Sequence, residues 1–237
     1  MKRPVLIRQL LLVLIASTCV TCNLPRDAEG TLERARGARV RVGLVENEPW
    51  VKRVNGEPAG VEVELVRRFA AQLNATPEWF WGNEQEHMEA LKRFELDLVV
   101  GGITESTPWQ KDVGLTNSYF ENQIKVGVPR SSPLLENLKG VRVAAKQGEA
   151  VAAYLEEEDA IPVRVDDPSQ VNGPVAASEW QLEQWGFAVT DMELHTEKHV
   201  MIVPPGENGW LARLEQFLHE QRTQVKGMLQ QQGATKQ

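Results

Sequence analysis

Between Arg39 and Val100 the spacing of apolar residues switches period again and again, and few folds accommodate that alternation. Arg39–Val45 alternates polar and apolar residues, as a half-buried strand does. After Gly60, the residues Leu65, Val66, Phe69, Ala70 and Leu73 recur at helical spacing. Thr76–Trp81 is short and aromatic, and reads as a strand. Glu84–Phe94 sets Met88, Leu91 and Phe94 on one helical stripe. Leu96–Val100 reads as a strand that stops at Gly101-Gly102. Strand, helix, strand, helix, strand predicts an open α/β sheet.

The pattern then restarts. Strands are expected at Ile124–Val128, Val141–Ala145, Pro162–Val165, Val175–Ala177, Glu193–Thr196 and His199–Val203. Helices are expected over Glu149–Glu157, over Glu179–Trp185, and from a cap at Asn208 to about Gln231. We read a first lobe at 38–124 with 204–237 and a second at 125–203. Extended crossovers near 120–128 and 200–205 join them. One continuous sheet is the alternative. A cleft between two lobes suits a small ligand.

At 237 residues the chain holds one large domain or two modest ones. A net charge of −7 excludes a general nucleic-acid binder, which needs a basic face. Two cysteines exclude a disulfide-stapled scaffold. Lys2, Arg3 and Arg8 precede the apolar run Leu10–Ala16, which is too short for a bilayer span and fits an export signal over 1–22. Cys19 and Cys22 follow that run, where a lipid acceptor stands in bacterial lipoproteins, and either cysteine fits. Residues 23–37 read as a polar tether with a short helix capped by Thr31.

Four segments of the first unit resemble bacterial extracellular solute-binding proteins of family 3, the polar-amino-acid type. They are Val40–Trp50, Gly60–Leu65, Leu96–Thr104 and Val113–Phe120, in the family's order and spacing. Leu138–Gly148 resembles the opening of the family's second lobe. The resemblance implies a two-lobed type II periplasmic-binding fold, α/β, with open mixed sheets, helices on both faces and a ligand cleft between the lobes. It also implies a periplasmic, often lipid-anchored protein that delivers a small solute to an ABC importer's membrane permease. No cofactor or metal is expected, and a monomer is.

The departures from the family shape the ligand expectation. The family's carboxylate-binding arginine, shortly after Gly102-Ile103-Thr104, aligns with Trp109. After Gly148 the family has a small hydroxyl residue, and here Glu149 follows. The ammonium-binding aspartate falls near Ser178 and Glu179. Trp50 takes the ligand-stacking position. A buried carboxylate without its arginine costs several kcal/mol, so an ordinary α-amino acid is a poor ligand. The expected contacts are Trp50, Gly102, Thr104, Trp109, Gly148, Glu149, Ser178 and Glu179, which suit a cation or an aromatic neutral solute.

For Trp50 the packing and binding readings stay open, whereas Trp79, Trp81, Trp180, Trp185 and Trp210 read as packing. His195 and His199 stand four apart on a strand, about 13 Å, too far for one zinc. The leading function is a binding protein rather than an enzyme. The alternatives are a sensory or interaction lobe that has lost its ligand and a dehydratase-like enzyme, since relatives of the family include prephenate- and arogenate-type dehydratases.

Overall fold

Two five-stranded sheets carry the chain. The structure is a computed structural model and describes residues 26–148 and 150–234. In chain order the strands are β1 (Arg39–Leu44), β2 (Lys52–Val54), β3 (Glu57–Ala59), β4 (Thr76–Trp81), β5 (Leu98–Val100) and β6 (Gly114–Leu115). They continue as β7 (Phe120–Val128), β8 (Arg142–Lys146), β9 (Ile161–Val165), β10 (Val175–Ser178), β11 (Ala188–His199) and β12 (Ile202–Val203). The helices are α1 (Thr31–Ala35), α2 (Val61–Gln72), α3 (Glu84–Lys92), α4 (Val151–Glu157), α5 (Glu179–Gln184) and α6 (Asn208–Ala234).

The first sheet runs β4-β1-β5-β12-β6, with β1 parallel to β4 and β5, and β12 antiparallel to its neighbours. One face packs on α2 and α6 through Val42, Leu98, Phe69, Trp210 and Phe217. The other packs on α3 through Val99, Met88 and Leu91. Burial on both faces explains why β5 is apolar throughout. The second sheet runs β11-β7-β10-β8-β9, with α4 on one face and α5 on the other. The fold is therefore the mixed, helix-covered α/β arrangement expected.

A two-stranded ribbon joins the sheets. The backbone at 114–120 pairs with 199–203: Thr116 N–H donates to Met201 O, and Tyr119 N–H to His199 O. The ribbon then widens into β7 and β11. Residues 193–199 thus belong to one twelve-residue strand, where the sequence suggested separate strands at 193–196 and 199–203. Ile202 and Val203 already pair in the first sheet. Between Val165 and Val175 there is a single 3-10 turn, Pro168–Gln170, in keeping with that segment's short length.

The helix ends are tied by long-range carboxylates. Glu207 accepts the N–H groups of Glu29 and Thr31 at 2.7 and 2.8 Å, while Asp27 accepts those of Leu32 and Trp210 at 2.8 and 2.7 Å. Each carboxylate satisfies donors left unpaired at a helix start and complements the dipole there. Thr31 and Asn208, the expected caps, are the first residues inside their helices instead. For α3 the local signal holds, since Asn83 and Glu86 form a reciprocal capping box. Its stripe ends early, because Phe94 turns left-handed at φ 55° beyond the helix end.

A buried acid fixes the bottom of the first sheet. Asp97 is fully enclosed and takes hydrogen bonds from both Arg34 and Arg41, the shortest at 2.6 Å from Arg41 Nη2. Its backbone oxygen accepts the Trp210 indole N–H at 2.7 Å. One residue thereby joins α1, β1, β5 and α6. The hairpin β2–β3, which the periodicity did not suggest, turns through Asn55-Gly56 with φ of 53° and 87°, the left-handed pair a two-residue turn needs.

Candidate functional site

The loop after β1 organises the upper edge of the first sheet. Its Pro49 and Trp50 carbonyls accept the first N–H groups of α2, from Val61 and Glu62. This places Glu62, in the first turn, beneath the end of β5. There its carboxylate accepts Gly101 N–H at 2.7 Å, Gly102 N–H at 2.8 Å and the Tyr119 hydroxyl at 2.6 Å. Burial pushes the Glu62 carboxyl above its ordinary 4.5, and the Tyr119, Gly102 and Gly101 donors pull it part of the way back. Burial and the neighbouring Glu62 push the Tyr119 hydroxyl up as well.

Above this turn lies a recess of about 390 Å³. Glu46, Asn47, Glu84, Gly102, Thr104 and Ser106 are among its lining residues. Asn47 Nδ2 donates to Gly101 O at 2.9 Å, the Thr104 and Ser106 hydroxyls are 2.8 Å apart, and Thr107 donates to Glu84 at 3.2 Å. The lining carries two carboxylates and no basic side chain. Its polar groups are mainly acceptors and hydroxyls.

Of the residues expected to touch ligand, Gly102 and Thr104 stand together in this recess. Trp50 lies behind it. The ring is 6% exposed and packs against His199 at 4.0 Å, Phe120 at 5.8 Å and Tyr119 at 6.4 Å between centroids. Gly102, at φ 66°, makes room for it, since a Cβ there would meet Trp50 Cδ1 at 2.3 Å. Packing is therefore the reading the coordinates favour for Trp50. Trp109 is half-buried against the apolar cluster containing Leu91, Ile103 and Val113, with the Lys92 ammonium 5.6 Å from its ring. It forms no part of the recess lining.

The remaining expected residues sit on the second sheet. Gly148 occupies a turn at φ 85°, and Glu149 lies outside the described residues. Ser178 stands at the N-cap of α5, its N–H donating to Gln181 Oε1. Glu179 is not an unpaired acid: Lys125 reaches one oxygen at 3.0 Å and Lys226 the other at 3.8 Å. Cys19 and Cys22 also lie outside the described residues.

Several residues that sequence reasoning missed converge on the ribbon. Asn122 Nδ2 donates to Glu197 Oε2 at 2.8 Å, and His199 Nε2 stands 3.7 Å from the same oxygen. His199 and Asn122 lower the Glu197 carboxyl below its ordinary value, against the opposing effect of burial. Tyr154 of α4 stacks on His195 at 4.4 Å and 19°. The usable signal was strand alternation, which places Asn122, Glu197 and both histidines on one face. Among the described residues no cluster of three or more His, Cys, Asp or Glu side chains is arranged to hold a metal ion. Nor is any described helix long and apolar enough to cross a membrane.

Solved structures share this architecture. The unliganded, open L-cystine solute receptor of Neisseria gonorrhoeae matches at 18% identity and TM-score 0.67, over 86% of this chain and 94% of that one. The second substrate-binding domain of a putative amino acid ABC transporter from Streptococcus pneumoniae matches at 17% identity and TM-score 0.64, over 82% and 98%. An ancestral cyclohexadienyl dehydratase matches at 17% identity and TM-score 0.62, over 91% and 99%. Identities this low establish the two-lobed fold and leave the ligand open. No curated protein matches the chain. The model of one sequence family spans residues 40–230, both sheets and most of α6, and the chain belongs to that family, the bacterial extracellular solute-binding proteins, family 3.

Proposed function

We propose that the chain captures a small solute in the cleft between its lobes and hands it to an ABC-type importer. The solute it carries lacks the α-carboxylate by which the family's usual amino-acid ligands are held. The observation that supports this reading is the recess at the end of β5, lined by Glu46 and Glu84 with no basic side chain. Trp109, at the position of the family's arginine, is turned into an apolar cluster. A carboxylate entering this recess meets no basic side chain in its lining, and the nearby guanidinium of Arg53 is already paired with Glu46 at 3.8 Å.

The cellular setting follows from the family and the first residues. An export signal over 1–22 and a lipid on Cys19 or Cys22 would hold the protein at the outer face of a membrane, beside the permease it serves. The protein acts as a carrier rather than a catalyst, with closure of the lobes presenting a joined surface to its partner.

Thermal unfolding with a panel of amino acids, amines, polyols and nucleosides tests the reading, because a ligand that prefers the folded state raises the melting temperature. A carboxylate-free solute should give the largest rise. Tight binding of an ordinary α-amino acid would overturn the ligand assignment. Turnover of the bound solute would replace the carrier by an enzyme, and a panel without any shift would favour a lobe that has lost its ligand.

A further inference from the structure

One face of the ribbon carries an acid, Glu197, among histidine and aromatic side chains. Antiparallel register sets Asn122 against Glu197, Phe120 against His199 and Ile124 against His195, so these side chains share one face. Trp50, from the first sheet's loop, covers the His199 end, and Tyr154, from α4, covers the His195 end. Glu197 stands between these two ring pairs.

The carboxylate of Glu197 is held on one side and open on the other. Oε2 takes the Asn122 amide at 2.8 Å and faces His199 Nε2 at 3.7 Å. Among the described residues no hydrogen bond or ion pair reaches Oε1, and the side chain is 34% exposed. The surrounding polar atoms are also incomplete. Asn122 Oδ1 and both ring nitrogens of His199 are buried without a hydrogen-bond partner among the described residues. Buried polar atoms in this state have capacity for a further hydrogen-bond partner.

The chemistry of that partner follows from the charges. The ribbon's lysines are engaged elsewhere: Lys125 pairs with Glu179 at 3.0 Å and Lys198 with Glu105 at 3.3 Å. A cationic N–H donor matches an open carboxylate oxygen.

We infer that Glu197 is a charge-recognition residue for the solute, taking a primary ammonium or guanidinium group on Oε1. Asn122 and His199 are positioning residues that fix the carboxylate's orientation. The inference rests on the solute-binding reading above and names the class of solute.

Calorimetric titration with agmatine and ethanolamine, two carboxylate-free cations, and with L-glutamate tests it. At least one cation should bind the wild-type protein, and L-glutamate should not. Glu197→Gln should weaken cation binding by at least tenfold, whereas Glu121→Gln, on the opposite ribbon face, should leave it within twofold. Glu197→Asp, which keeps the charge, should retain part of the affinity and serves if the glutamine variant fails to fold. In Asn122→Ala the loss of cation binding on acidification should move to higher pH, a change that a purely structural role for Asn122 does not produce. Binding of L-glutamate without a cation response, or full cation affinity in a folded Glu197→Gln protein, overturns the inference. Failure of both cations, while another solute of the thermal panel binds, sinks this inference and leaves the carrier reading standing. A protein that binds nothing sinks both.

Discussion

The Tyr119 hydroxyl donates to Glu62 Oε1 at 2.6 Å, joining the start of α2 to the ribbon between the sheets through a buried bond. Tyr119→Phe should cost about 1–3 kcal/mol of stability, because the carboxylate loses a donor that water does not replace. The pH dependence has a definite sign. The folded carboxyl is raised above 4.5, so the unfolded chain releases this proton first as pH rises. Its contribution is complete below 4.5 and is lost as pH climbs through the raised folded value. Urea unfolding at a series of pH values should show this slope in the wild-type protein and its absence in Glu62→Gln.

His87 gives the opposite slope. Its ring is buried beneath β1 and β4, with Nε2 3.2 Å from Leu44 O, and burial lowers its pKa below 6.5. Its contribution is fully present above pH 6.5 and is lost as pH falls toward the depressed folded value. His87→Leu should flatten the thermal-stability profile below pH 6.5, while Gly82 N–H still satisfies the Leu44 carbonyl.

Asp97→Ala should be among the most damaging single changes. It strands Arg34 and Arg41, which are 42% and 28% exposed, around an emptied buried site. Hydrogen bonds to a charged group contribute about 1.5–3 kcal/mol, and the emptied volume adds to their loss. Denaturant midpoints would measure the loss, which should exceed that for breaking the exposed Arg36–Glu33 pair several-fold.

Gly102→Ala places a methyl group 2.3 Å from Trp50 Cδ1 and 2.8 Å from Asn47 Nδ2 on a left-handed backbone. Either the Trp50 ring or the recess must shift. The expected result is a protein with a lower melting temperature and weakened solute binding, read from calorimetry on the fraction that folds.

Much of the fold was legible because its strands and helices carry their own periodicity. Val42, Leu98 and Phe69 announced a sheet with a helix on it, and all three are fully buried. The site was less legible. A short motif pointed to Gly102 and Thr104, which line the recess, but Trp50 could not be assigned, because a tryptophan beside a cleft and one packed beneath it look alike in sequence. Glu62 reads as an ordinary first-turn acid of α2, and only three-dimensional proximity brings Gly101, Gly102 and Tyr119 to it. Asn122 and Glu197 are separated by most of the second sheet's sequence, and their pairing depends on a register no local pattern encodes. Long-range caps such as Asp27 and Glu207 were hidden for the same reason.

The final helix has a mechanical role beyond covering the first sheet. Trp210 and Phe217 seat its opening turns on α2, while Gln230 O accepts from Gln184 and Lys226 pairs with Glu183 at 2.9 Å, both partners on α5. Among the described residues the two strands of the ribbon and this helix therefore run from one half of the molecule to the other. A swing that parted the halves would have to slide or release this grip on α5, so the far end of the helix takes part in any such movement as well as the strands.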